Sequence, residues 1–282
     1  MKKEWFFDRY CGQQFVALLE DGRLAEFAAE KEKSGDVVGN IYKGRVMNVL
    51  SGMQAAFIAC GLERNCYLSM EETYTDYSKY DGTMGGTNAQ QLNLKEGDEV
   101  IVQVTKPPRG NKGAKVTTHL SFVGKNLIYL PNTDFVGISR KITEAELRQN
   151  LLFTADKMRE RTDEGFIIRT QAPFVTRRQL KREAEYLKNL YGAMKECAKD
   201  APVGSVLYKD FDLPIRIMRD SMGDDVTAMY VGDDVLYDRL LKLVRLRGDL
   251  PERKIVHYTG KRAMMREYGI SPLVFAAAQP TV

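Results

Sequence analysis

Between Val37 and about Ser121 the sequence repeats one pattern. VVGNIYKGRVMNVL, MQAAFIACG, NCYLSM, EVIVQVTK and KVTTHLSF are short runs of strand-forming residues punctuated by glycine. Several short strands at close spacing with glycine turns predict a small closed β-barrel, since closure removes the exposed edges of an antiparallel sheet. One stretch interrupts the pattern. Residues 73–93 (TYTDYSKYDGTMGGTNAQQLN) are polar, rich in Tyr and Gly and without a usable period, so a long mobile loop is expected there.

The flanks read differently. Before the barrel, WFF and QFVALLEDGRLAEF have strand patterning, with Asp21-Gly22 as hairpin turn, and residues 31–36 (KEKSGD) form a polar connector. After it, LIYLP is a strand and TEAELRQNLLFTADKMRER a helix, with Thr143 as N-cap and Glu146 completing a capping box. FIIRT is a short buried strand by its branched apolar residues. A second helix, from about 176 to 199, places Leu180, Ala184, Leu187, Leu190, Tyr191 and Met194 on one apolar stripe and Arg177, Arg178, Lys181, Arg182 and Lys188 on a basic side. Beyond Pro202, SVLYKD, a helix near LPIRIMRDSM, AMYVGD, the helix DVLYDRLLKLVRLRG and KIVHY alternate, which marks a separate α/β piece.

Composition narrows the classes. With 282 residues, 44% hydrophobic and 28% charged, the chain has enough apolar sequence for two or three cores and is neither collagenous, disulfide-rich nor disordered. Its 42 Lys+Arg against 38 Asp+Glu leave a net charge of +4, so a nucleic-acid partner has to be argued from where charges sit. Cys11, Cys60, Cys66 and Cys197 form no CxxC pair and only His119 and His257 can join them, which argues against a protein-built zinc site. The N-terminus has no apolar stretch of signal length, and no run approaches the roughly 18 apolar residues of a membrane span, so a cytoplasmic protein with reduced thiols is expected.

Few residues point to chemistry. By strand alternation Phe57 shares a face with Ala55 and Ala59, and Ile58 shares the other with Ala56 and Cys60. If Phe57 and Tyr67 face outward on neighbouring strands they form a base-stacking platform; otherwise both are packing aromatics. In KPPRGNKGAK, Arg109, Lys112 and Lys115 among glycines suit a phosphate-approaching turn, but the residues by themselves favour a solvated hairpin loop. Arg169, ending an apolar strand, calls for an anion or an internal carboxylate. The segment Arg177, Arg178, Lys181, Arg182 is either a solvated face or a binding stripe. The pairs Asp210/Asp212, Asp224/Asp225 and Asp233/Asp234 sit where Asp caps turns and helices, and are read as structural. GxSxG, P-loop, HExxH and GxGxxG motifs do not occur.

Taken in order, GDVVGNIYKGRVMNVLSGMQAAFIACGLERNCYLSM, KPPRGNKGAKVTTHLSFVGKNLIYLPN, GISRKI and GFIIRT resemble the N-terminal half of the ribonuclease E/G family of bacterial endoribonucleases, most strongly from Gly35 to Thr170. The resemblance implies an α+β chain of several subdomains: an S1-type oligonucleotide-binding (OB) barrel at 36–121, inserted into a degenerate ribonuclease-H-like α/β subdomain made of 1–35 and 202–282, with a 5′-sensor region at 122–201. It further implies that Phe57 and Tyr67 stack on RNA, Tyr67 standing where Phe is usual, and that Lys112, with Arg109 near it, contacts phosphate. Gly124, Ile128, Arg169 and Thr170 match positions that hold the 5′-monophosphate of RNA. The implied partner is single-stranded RNA, preferably 5′-monophosphorylated.

In the family, hydrolysis belongs to a following subdomain in which two Asp and an Asn hold Mg²⁺, and a CPxCxG zinc link joins subunits. Neither motif occurs in these residues. The expectation is therefore an RNA-binding portion with no catalytic residues, no metal ligands and no cofactor of its own, Mg²⁺ and the structural Zn²⁺ belonging to the full-length enzyme and zinc-linked oligomers being out of reach. Two alternatives stand beside it: a stand-alone metal-dependent ribonuclease using its own carboxylates, such as Asp210 and Asp212, and a non-catalytic scaffold whose barrel binds RNA or protein.

Overall fold

The computed structural model describes residues 2–10, 13–31, 37–69, 80–84, 93–209, 213–221, 225–247 and 251–277. In chain order the strands begin with β1 (Lys3–Tyr10), β2 (Gln13–Glu20) and β3 (Arg23–Lys31). There follow β4 (Ile41–Leu50), β5 (Ala55–Ala59), β6 (Cys66–Ser69), β7 (Tyr80–Met84), β8 (Glu99–Lys106) and β9 (Lys115–Thr117). Next come β10 (Phe122–Val123), β11 (Leu127–Leu130), β12 (Phe135–Ser139), helix α1 (Ala145–Lys157), β13 (Gly165–Ile168), helix α2 (Arg177–Asp200) and β14 (Val206–Tyr208). The chain continues through α3 (Leu213–Ser221), β15 (Val226–Val231), α4 (Asp234–Arg247), β16 (Ile255–His257), α5 (Met264–Glu267) and α6 (Ile270–Ala277). Two compact units result, one from Met1–Ser34 with Asp212–Val282, the other from Gly35–Phe211.

The first unit is a mixed sheet ordered β16-β15-β1-β2-β3, in which β1 to β3 form an antiparallel meander and β15 and β16 run parallel to β1. The central strand is apolar on both faces, as a strand covered on both sides has to be. Trp5 and Phe7 pack with residues of α3 and α4, while Phe6 points oppositely toward Met264 and Ile270. Phe6 and Phe7 are fully buried, and truncating either to Ala is expected to cost about 3–5 kcal/mol.

In the second unit β4-β5-β6-β9-β8 close on themselves through a β4–β8 pairing, giving a five-stranded barrel. Its interior is Tyr42, Val46, Ala56, Ile58, Leu68, Val102, Val104 and Val116, with the free thiols of Cys60 and Cys66. This closed barrel in a mixed α+β chain is compatible with an OB-type fold. A second sheet, β10-β11-β13-β12-β7, carries α1 and α2. The stripe of α2 is largely as the sequence predicts: Leu180, Ala184, Leu187, Leu190 and Met194 are buried, and Tyr191 meets Phe122 and Tyr129 edge-on at 5.8 and 6.2 Å.

Three local readings change. Thr143 is not the cap of α1, whose N-cap position is Glu144 with no side-chain hydrogen bond; a capping box forms instead on α2, between Thr176 and Gln179. Within the expected loop, Tyr80–Met84 is a strand paired with β12, where Asp81 accepts from Arg140 at 2.9 Å and Arg148 at 2.8 Å. Backbone pairing to a sheet edge needs no apolar period, so the pattern gave no sign of it. The rest of 73–93, apart from Asn93, lies outside the described residues. SVLYKD, grouped by its sequence with the later α/β piece, instead supplies β14, which pairs with the start of β4. Two positive-φ glycines permit this, since a Cβ on Gly61 would lie 2.6 Å from the Gly204 carbonyl oxygen. Among the described residues no helix is long and apolar enough to cross a membrane.

Candidate nucleic-acid interface

On the barrel, β5 and β6 run antiparallel with Phe57 directly opposite Tyr67. Their neighbours Ala56, Ile58, Cys66 and Leu68 fill the interior, so alternation turns both rings to the outer face, half-buried, 6.2 Å apart and edge to face. The basic turn lies along the same edge. Arg109 and Lys112 exchange both backbone hydrogen bonds, at 3.1 and 3.0 Å, around Gly110 in the left-handed region. Arg64 Nη1 donates to the Asn111 carbonyl at 2.5 Å, and the backbone of Gly113 passes so near Asn65 that a Cβ would sit 1.9 Å from its oxygen. Tyr67 N–H donates to Ala114 at 2.8 Å. The exposed Arg109 and Lys112 are thus fixed beside β6, and the structure brings these two cations to the edge that carries Tyr67.

The other four positions meet at a corner of the second sheet. The turn between β10 and β11 closes with Gly124 N–H donating to Leu127 O at 2.7 Å, and Arg169 N–H donates to Asn126 O at 2.8 Å. The Arg169 guanidinium reaches back to the carbonyls of Gly124 and, at 3.1 Å, Lys125. Thr170 follows, half-exposed, and Ile128 is half-exposed between Val123 and Ile167 on the neighbouring strands.

Two residues of this corner escaped the sequence reading. Glu183 of α2 accepts from Asn126 N at 2.8 Å and from Asn126 Nδ2 at 2.7 Å, clamping the turn from the helix side. A Cβ on Gly124 would lie 2.2 Å from Glu183 Oε1, so glycine is what lets the carboxylate in. The clamp also fixes the Asn126 amide, leaving its buried Oδ1 without a partner among the described residues. An unpaired acceptor there suits water or a donor, not phosphate. Glu183 lies inside RRQLKRE, where a lone acid among cations carries no local signal.

Of the acidic turns, the described carboxylates have partners within the fold. Asp233 caps α4 by accepting from Leu236 N at 2.7 Å, Asp234 meets His257 Nε2 at 2.9 Å, and Asp225 pairs with Lys3 at 2.9 Å. Asp210, Asp212 and Asp224, like Cys11, lie outside the described residues. One convergence was missed. The Asp8 carboxylate packs on Gly232, beside Asp233, and its pKa is raised by burial and by that second charge, against the Arg9 N–H bond that lowers it. Arg9 lies 4.0 Å from Asp233. Among the described residues no group of three or more His, Cys, Asp or Glu could hold a metal ion.

The family model described as Ribonuclease E/G family matches residues 121–282. Ribonuclease G of Haemophilus influenzae is 30% identical over 275 residues, covering 95% of this chain and 55% of that protein. Ribonuclease G of Escherichia coli K12 is 32% identical over 256 residues, 88% of this chain and 51% of its own length. Ribonuclease E of Escherichia coli K12 is 29% identical over 274 residues, 95% of this chain but 25% of that protein. The chain therefore spans about half the length of the ribonuclease G relatives and about a quarter of that ribonuclease E.

Proposed function

The chain belongs to the ribonuclease E/G family, and on that premise we propose that its residues form the RNA-gripping portion of an endoribonuclease for single-stranded RNA. The observation that carries this is the directly opposed Phe57–Tyr67 pair on the outer face of a closed barrel, flanked by Lys112 and Arg109. Aromatic faces beside cations bind single strands without regard to sequence, since every base has a π-face and every nucleotide a phosphate. In this reading Phe57 and Tyr67 stack on bases, and Lys112 and Arg109 neutralise phosphates. The barrel is an S1-type domain, and the meander followed by two parallel strands is the ribonuclease-H-like subdomain that flanks it in sequence.

The corner is read as a sensor of the RNA 5′ end. Arg169 and Thr170 hold a terminal monophosphate with side-chain donors, and Gly124 and Ile128 approach it through backbone. The Glu183 clamp keeps that turn in one conformation before RNA arrives, which supports preorganised binding. Phosphodiester hydrolysis in the family is Mg²⁺ chemistry, and this chain is proposed to hold RNA in the cytoplasm without supplying that step.

The test is titration of a short fluorescent single-stranded RNA bearing either 5′-monophosphate or 5′-hydroxyl, with Mg²⁺ at two salt concentrations, followed by electrophoresis of the bound RNA. Tighter, salt-sensitive binding of the monophosphate with intact RNA is the expected result. Equal affinity for both ends removes the sensor, affinity indifferent to salt favours a protein-binding scaffold, and site-specific cleavage abolished by EDTA overturns the non-catalytic reading.

A further inference from the structure

Phe174 is the most exposed large apolar side chain among the described residues, at 82% of its full accessibility. It is not loosely held. Residues 172–174 form a turn of 3₁₀-helix in which Ala172 N–H donates to Arg169 O at 3.0 Å, Phe174 N–H to Gln171 O at 3.1 Å and Val175 N–H to Ala172 O at 3.3 Å. Immediately afterwards the Thr176–Gln179 capping box fixes the start of α2. The ring is thereby anchored by backbone to the Arg169 corner, although its surface belongs to no core cluster.

The first turns of α2 present Arg177, Arg178, Lys181 and Arg182, all exposed. None makes an ion pair among the described residues. This arrangement works against the helix. Arg177 and Lys181, and Arg178 and Arg182, are like charges at i,i+4, and cations in the first turn oppose the helix dipole with no acidic residue there to offset them. A plain solvated face mixes its signs; this one concentrates a single sign at the helix end that least tolerates it. A polyanion relieves both penalties together, and an exposed aromatic beside unpaired guanidinium groups matches a nucleic-acid single strand in charge and in stacking surface.

We infer that Phe174 and the stripe Arg177, Arg178, Lys181 and Arg182 form a second single-stranded RNA platform, continuous with the Arg169 corner, in which the ring stacks on a base close to the RNA 5′ end and the cations take the following phosphates. The placement at the 5′ end rests on the sensor reading of Arg169 and Thr170. The platform itself does not.

The experiment uses the whole chain and short 5′-monophosphorylated single-stranded RNA, with a matched series lacking the base at the first, second or third nucleotide. Phe174→Ala is expected to weaken binding of the intact RNA about five- to tenfold, the loss of one stacked base. Phe174→Trp is expected to keep wild-type affinity, and the alanine effect to vanish on one member of the abasic series. Replacing Arg177 and Arg178 by Gln is expected to lower the magnitude of the log K against log salt slope by about 0.7 per lost phosphate contact. Wild-type affinity for Phe174→Ala, equal loss in the Ala and Trp variants, or a loss that persists across the whole abasic series overturns the platform. Failure of the sensor reading looks different. The wild-type chain then binds 5′-hydroxyl and 5′-monophosphate RNA alike while the Phe174 effect remains, and the platform stands as an internal single-strand site.

Discussion

On the barrel edge, Phe57 and Tyr67 are placed by strand alternation and one register, with every neighbour on the other face buried, whereas at the Arg169 corner nothing is placed by a period. There the turn is held by polar contacts between residues 45 and 57 positions apart in sequence, Arg169 to Gly124 and Glu183 to Asn126. A hydrophobic pattern sets an edge with tolerance, because any large outward ring of similar shape serves. A polar clamp is intolerant, because removing one partner leaves buried groups unsatisfied. The two regions should therefore respond oppositely to mutation: the edge in binding with little change in stability, the corner and its sheet in stability first.

The strongest test of that contrast is Glu164, the loop residue immediately before β13 of the same sheet. It is 2% exposed and accepts from Tyr129 Oη at 2.9 Å, Lys188 Nζ at 3.0 Å and the backbone N–H groups of Glu160 and Arg161. Glu164→Ala is expected to lower the unfolding free energy by about 3 kcal/mol in urea titration, since it leaves the buried Tyr129 phenol and two backbone N–H groups without their acceptor and removes one of the partners of Lys188. Glu164→Gln isolates the charge. Burial alone would raise the Glu164 pKa, but the Glu160 N–H, Lys188 and Tyr129 together bring it below its ordinary value of 4.5. A carboxylate whose folded pKa is depressed stabilises fully above its unfolded pKa and loses that contribution as pH falls through the folded value. The stability gap between wild type and Glu164→Gln is thus expected to be widest near neutrality and to close in acid below the ordinary value. A gap independent of pH breaks the assignment. Next in size, Glu183→Ala is expected to cost about 2 kcal/mol and to erase discrimination between 5′ ends, while 5′-hydroxyl RNA binds as before.

The same contrast explains what could be read from the sequence. The barrel was legible because glycine punctuation and alternation act over a few residues, and the α2 stripe because Leu180, Leu187 and Met194 recur at helical spacing. The β7 strand was not, since an edge strand is recruited by backbone pairing with β12 that its own side chains do not announce. Thr143 failed as a cap although its spacing to Glu146 fits the motif; the N-cap position is one residue later, at Glu144, and the helix begins at Ala145. Arg169 was legible as a guanidinium needing a partner but not as one engaging two carbonyls, and Glu183 and Asp8 were silent because their partners lie on other elements. A single sequence read without its relatives carries no term for such distant polar pairs.

Phe57→Ala tests the tolerant side. RNA binding is expected to weaken by about 1–2 kcal/mol, the value of one stacking contact, with the unfolding midpoint little changed because the ring is half-exposed. Phe57→Tyr is expected to bind as wild type, because the opposing position already carries Tyr67. A large fall in stability for Phe57→Ala would mean that the ring belongs to the core and that the edge is no freer than the corner.

The smallest effect is expected in the other unit, where a carboxylate is buried against a like charge instead of being clamped. Asp8 sits on Gly232 near Asp233, and burial together with that charge raises its pKa above the ordinary 3.8. The sign is opposite to that of Glu164: ionising Asp8 is harder in the folded chain, so a stability penalty develops as pH rises from the unfolded value through the folded one and is complete above it. Asp8→Asn keeps an oxygen for the Arg9 N–H, which Asp8 accepts at 2.8 Å, and removes the charge. It is expected to stabilise the chain by about 0.5 kcal/mol near neutrality and not at all in acid, as read by denaturation at paired pH values. Destabilisation at neutral pH would show instead that the Asp8 charge is held by attraction to Arg9 and its surroundings, and the two carboxylates would then belong to the same intolerant class as the Arg169 corner.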